Sequence, residues 1–65
     1  MDKNKFKYFA ASKGITLHDL AGEMDMHPAT LSKKLSGVSE FTRKEIQKYQ
    51  AATDTTPKEI MDIFF

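Results

Sequence analysis

The sequence predicts an all-α fold, a compact domain of five short helices over residues 1–65. Three observations predict it. Helix start signals recur along the chain: Thr42 with Glu45, and Thr56-Pro57 with Glu59, in the spacing of capping boxes. Apolar residues repeat at helical rather than alternating spacing, with few strand signals. Residues from about 16 to 37 read as two short helices joined by a tight turn.

The elements follow in order. Phe6, Phe9 and Ala10 share a helical face, so a first helix is expected from about Asp2 to Ser12. Gly14 stands where a left-handed C-terminal cap belongs. Thr16 is the N-cap of the second helix, with Asp19 three residues on, and Ile15 has staple spacing to Leu20. Leu20, Ala21 and Met24 form its buried stripe. Asp25 and Met26 make the turn. His27 occupies an N-cap position, and Pro28 falls at the first helical position, where a missing N–H costs nothing. The third helix runs to about Leu35, and Gly37 stops it. Thr42 opens a fourth helix that reaches about Ala52 and buries Ile46 and Tyr49. Thr56 opens a short fifth helix ending in Ile63-Phe64-Phe65.

The expected core is Phe6, Phe9, Leu20, Ala21, Met24, Met26, Leu31, Leu35, Val38, Phe41, Ile46, Tyr49, Ile60 and Phe64. Each fully buried large apolar side chain contributes roughly 1.5–3 kcal/mol. In so short a chain that offsets ordering entropy by a narrow margin, so the caps matter. Hydrophobic residues make up 40% and charged residues 29%, the composition of a folded globular chain. With no cysteine, disulfides and thiolate metal sites are excluded. No apolar run suits a signal peptide or a membrane span. A net charge of +1 permits a local nucleic-acid patch without arguing for one.

The third helix carries the functional argument. Successive residues advance about 100° around a helix. With Leu31 and Leu35 inward, Ala29, Ser32, Lys33 and Ser36 face outward, and Thr30 and Lys34 lie on the flanks. Short side chains allow close approach to a groove floor. Ser donates or accepts, Ala29 or the Thr30 methyl can meet a thymine methyl, and Lys33 can reach a guanine edge or a phosphate. Taken alone, this is also the pattern of a polar solvated face. The preceding helix, the turn and Ala21 at the crossing point favour a helix-turn-helix, whose second helix is offered to the major groove of DNA.

Thr16 to Gly37 resembles the helix-turn-helix of the lambda repressor/Cro family. The matching positions are Leu20 and Ala21, Met24 and Met26 around the turn, Thr30, Leu31 and Ser32, and the closing Gly37. From Phe41-Thr42 through Glu45-Ile46 to Pro57, Glu59-Ile60 and Ile63-Phe64-Phe65, the chain is similar to the small Cro-like phage repressors in particular. The resemblance implies a five-helix, lambda repressor-like domain and operator binding through residues 28–35, with double-stranded DNA as partner and often as a homodimer. It implies a cytoplasmic location in a bacterial host, at the nucleoid when bound. The family's base-reading positions fall on His27, Pro28, Ala29, Ser32 and Lys33. Three departures stand out: Leu17 replaces a phosphate-contacting Gln, Asp25 a Gly of positive φ, and Lys34 an apolar residue. Pro28 and Ala29 also lack hydrogen-bonding side chains. These features leave an alternative, a protein-binding antirepressor or modulator that uses the same fold to mask a partner repressor.

Of the cations, Lys33, Lys34, Arg43 and Lys44 are expected near the presented face as phosphate contacts. Lys3, Lys5, Lys7 and Lys13 can serve likewise or be plain solvated lysines. At the C-terminal end, Ile60, Ile63 and Phe64 share the inward face. Met61 and Phe65 lie together on another, an expected homodimer contact. No enzymatic reading survives. His18 and His27 have no ligand set at metal spacing, there is no nucleophile elbow, and no glycine-rich phosphate loop exists. No cofactor, metal or catalytic residue is expected.

Overall fold

Every helix opens on a side chain that accepts a hydrogen bond from one amide of its first turn. The computed structural model describes residues 1–65 as five α-helices: α1 Lys3–Ser12, α2 Leu17–Glu23, α3 Pro28–Leu35, α4 Arg43–Thr53 and α5 Pro57–Phe64. The Asp2 carboxylate accepts from the Lys5 amide at 3.0 Å, and the Thr16 hydroxyl accepts from the Asp19 amide at 3.1 Å. Thr42 with Glu45 and Thr56 with Glu59 form complete capping boxes. Such a cap is worth about 1 kcal/mol, and the expected boundaries hold to within a residue or so.

The first three helices end alike. A left-handed residue follows the C-cap: Gly14 at φ 73°, Asp25 at φ 56° and Gly37 at φ 87°. In each case the next amide reaches back to the third-last helical carbonyl: Ile15 to Ala10, Met26 to Ala21, and Val38 to Lys33, at 2.9–3.0 Å. This double closure takes up carbonyls the helix leaves free. Asp25 thus fills the turn at a φ that Asp tolerates better than most residues. Helix α4 ends on a fourth left-handed residue, Asp54 at φ 53°, which the sequence did not announce.

Helix α2 sits at the centre, packed on α1, α3 and α4, while α5 closes back on α1. The core is Phe6, Ala10, Leu20, Ala21, Met24, Leu31, Leu35, Tyr49, Ile60 and Ile63. Phe6 is its hub, stacked on Tyr49 at 4.3 Å between ring centroids and edge-on to Phe64 at 5.9 Å. The Tyr49 hydroxyl donates to the Phe6 carbonyl at 2.9 Å, so the buried phenol is satisfied. Phe9, Met26, Phe41, Ile46 and Phe64 pack around this core half-buried.

Val38 does not belong to it and is 74% exposed. After α1 and α2 the corresponding residues, Ile15 and Met26, fold onto the core. After α3 the covering is done by Phe41, whose ring lies 5.9 Å below the Lys34 ammonium. Thr53 and Thr55 are buried polar residues. Their hydroxyls lie 3.1 Å apart, and Thr53 donates to the Tyr49 carbonyl at 2.7 Å.

Candidate nucleic-acid interface

Helices α2 and α3, with the Asp25-Met26 turn between them, form a helix-turn-helix held from two sides. Ala21 is fully buried, and its lack of bulk lets α3 cross closely. From α4, the Lys48 ammonium donates to the Asp25 carboxylate at 2.6 Å. That bond and the Lys48 charge, aided by Lys44, outweigh desolvation and hold the Asp25 carboxyl below its ordinary value. The left-handed turn is therefore pinned to α4 as well as closed by its own backbone.

Helix α3 buries Leu31 and Leu35 and leaves His27, Ala29, Thr30, Ser32, Lys33 and Ser36 exposed, with Pro28 half-buried. Their bonding capacities differ. Ser32 and Lys33 make no side-chain hydrogen bond or ion pair within the chain, so both are free to donate outward. The Ser36 hydroxyl donates to the Lys33 carbonyl at 2.9 Å, which leaves it lone pairs to offer. His27 Nδ1 accepts from the Ala29 amide at 3.3 Å. This cap places the ring proton on Nε2 and makes the free edge of the ring a donor. The amides of Thr30 and Leu31 are bonded to the His27 carbonyl, and Pro28 has none. The start of α3 therefore has no unspent backbone donor, and an approaching duplex meets side chains only.

Lys34 is placed differently from the expectation that grouped it with the outward cations. Its ammonium donates to the Glu40 carbonyl at 2.8 Å and lies 3.1 Å from a Glu45 carboxylate oxygen. The two side chains are only 10% and 20% exposed. Glu45 also accepts from the Thr42 amide at 2.8 Å. Burial pushes the Glu45 carboxyl up, but the Thr42 amide and the Lys34 ammonium outweigh it and leave it below the ordinary value. Lys34 is thus a tie between α3 and the start of α4, inward of the presented face. The sequence pattern could not show this, because the partner lies on the next helix.

At the start of α4, Arg43 and Lys44 are exposed. Their backbone amides have no acceptor within the chain, and neither side chain is ion-paired. On the other side of α3, a furrow brings Lys3 and Lys7 of α1 and Leu17 and His18 of α2 beside Pro28, Ser32 and Ser36. The adjacency of α1 to α3 had no signal in the local sequence pattern. No three His, Asp or Glu side chains converge as a metal-ligand set, and no helix is long and apolar enough to cross a membrane.

Two short helices crossing at a small residue, a left-handed turn, and an outward face of short polar and basic side chains define a nucleic-acid-binding helix-turn-helix. The Cro/C1-type HTH DNA-binding domain family matches residues 5–65, and the chain belongs to that family. Its partner is accordingly double-stranded DNA. No curated protein and no solved structure gives a match.

Proposed function

We propose that the chain is a Cro-like transcriptional regulator that binds operator DNA by laying α3 in the major groove. The observation that carries this reading is the exposed strip of α3 on which Ser32 and Lys33 have no internal partner. Ser32 and Lys33 read base edges, Lys33 by donating to guanine, while Ala29 and the Thr30 methyl touch thymine methyls. The donor edge of His27 meets an acceptor at the mouth of the groove, and Ser36 accepts from a base amino group. Arg43 and Lys44 contact phosphates, which set register without reading sequence.

A single short reading helix gains affinity from a second copy. Met61 and Phe65 are 59% and 84% exposed, and they serve as the contact of a weak homodimer. Two recognition helices then sit about 34 Å apart on one face of the duplex.

Fluorescence anisotropy against mixed-sequence and selected duplexes, at two salt concentrations, tests the reading. Affinity is expected to fall as salt rises, since each neutralised phosphate releases counterions. Lys44→Ala is expected to weaken all duplexes alike. Ser32→Ala and Lys33→Ala are expected to change sequence preference by about 1–3 kcal/mol where a good base contact is lost. Absence of binding at micromolar protein sinks the proposal and turns attention to a masked partner repressor.

A further inference from the structure

We propose that Lys3 and Lys7 of α1 form a second phosphate-binding wall, so that α3 is gripped by one DNA strand on each side. The inference rests on the reading above, that α3 enters the major groove. Ten Lys and Arg side chains stand against nine carboxylates in this chain, a balance that hides how the charge is sorted. Three cations have a carboxylate partner within the chain: Lys34 has Glu45, Lys48 has Asp25, and Lys13 has Asp54 at a looser 4.0 Å. The others have no ionic partner. Of these, Lys33 is on α3 itself, Arg43 and Lys44 open α4, and Lys3 and Lys7 line the furrow beside Ser32 and Ser36.

These groups are not on one side of α3. At about 100° per residue, Pro28, Ser32 and Ser36 share one flank of the helix. That flank borders the furrow with Lys3 and Lys7. Lys34 is on the opposite flank, tied to Glu45 in the first turn of α4, the helix that opens with Arg43 and Lys44. No Asp or Glu lines the furrow. A helix lying in a major groove about 12 Å wide has a phosphate strand along each flank. Each strand carries one charge per about 3.4 Å of axis. Lys3 and Lys7 are one helical turn apart, about 5–6 Å between Cβ atoms, so each can find its own phosphate on the same strand. Lys5, on the opposite face of α1, cannot take part.

The test counts phosphates. The slope of log affinity against log salt is measured by anisotropy on a mixed-sequence duplex for the parent chain, Lys3→Gln/Lys7→Gln and Lys5→Gln/Lys58→Gln. The last pair removes the same charge from exposed lysines outside the furrow. The slope is expected to fall in magnitude by about 1.8 in Lys3→Gln/Lys7→Gln, at about 0.9 per lost phosphate contact. Affinity at about 0.1 M salt should drop at least about 10-fold. Lys5→Gln/Lys58→Gln should keep nearly the parent slope. Equal falls in both variants overturn the inference, because the effect then belongs to net charge. A parent-like slope in Lys3→Gln/Lys7→Gln also overturns it, while the major-groove reading stands. A parent chain that binds no DNA overturns both.

Discussion

Lys34→Met tests whether α3 is held in place by an ion pair rather than by its apolar face alone. The substitution keeps an unbranched stem over Phe41 and removes the ammonium. It breaks a 2.8 Å bond to the Glu40 carbonyl and a 3.1 Å contact with Glu45. Exposed ion pairs contribute about 0–1 kcal/mol, whereas breaking a buried pair from one side costs about 3–5 kcal/mol. With side chains 10% and 20% exposed, this pair lies between those limits. Glu45 retains the Thr42 amide, which places the cost in the lower half, about 2 kcal/mol. For a domain of this size that is a fall in Tm of about 8–16 °C, read by far-UV circular dichroism.

The pH dependence separates charge from packing. The folded Glu45 carboxyl sits below its ordinary value, so its contribution is fully present above the unfolded pKa, about 4.3. It is lost as pH falls through the lower folded value. In Lys34→Met the carboxyl loses one of the groups that depress it, so acid costs the variant less. The gap in Tm is therefore expected to narrow between about pH 5 and pH 3. A gap under about 1 °C at neutral pH, or one equally wide at both ends of that range, would refute the electrostatic account.

Three further outcomes are expected. Leu31→Ala should cost about 2–5 kcal/mol by opening a cavity under α3, enough to unfold so small a domain; an unchanged Tm would mean that α3 buries another face. Burial pushes the Tyr49 phenol up to about 12, so its contribution is complete below the unfolded pKa of about 10 and fades as pH rises towards 12. Alkaline melts should accordingly show Tyr49→Phe losing less stability than the parent over that interval. Met61→Ser/Phe65→Ser should sediment as a monomer at concentrations where the parent chain dimerises; if both stay monomeric even with DNA added, the homodimer contact is wrong.

The features legible in the sequence are those whose causes lie within a few residues. Thr42 with Glu45, Thr56 with Glu59, and Gly14 and Gly37 all act on amides and carbonyls of their own turn. The helix bounds and the outward strip of α3 therefore followed from spacing alone. What spacing did not reveal depends on how side chains pack and pair. Lys34 turns inward because Glu45 waits on the next helix. Thr53 can be buried because Tyr49 and Thr55 satisfy its hydroxyl. Val38 is left out because Phe41 reaches the core first. The place of Lys3 and Lys7 beside α3 depends on how α1 docks, a tertiary fact with no local mark.

The side chains on the outward strip of α3 are separate from the core packing that holds the helix up. Leu31 and Leu35 face the core, while the side chains of Ala29, Thr30, Ser32 and Lys33 are exposed and lie outside it. Substitutions at such positions usually move stability by less than about 0.5 kcal/mol. If α3 reads DNA as proposed, a lineage of such chains can change its preferred DNA sequence by single steps without passing through an unfolded ancestor. Ala29→Asn, for example, adds a side chain that can pair with adenine, at a site where the scaffold is indifferent. On that reading, target choice in this domain is an evolvable inscription on a surface that folding leaves blank.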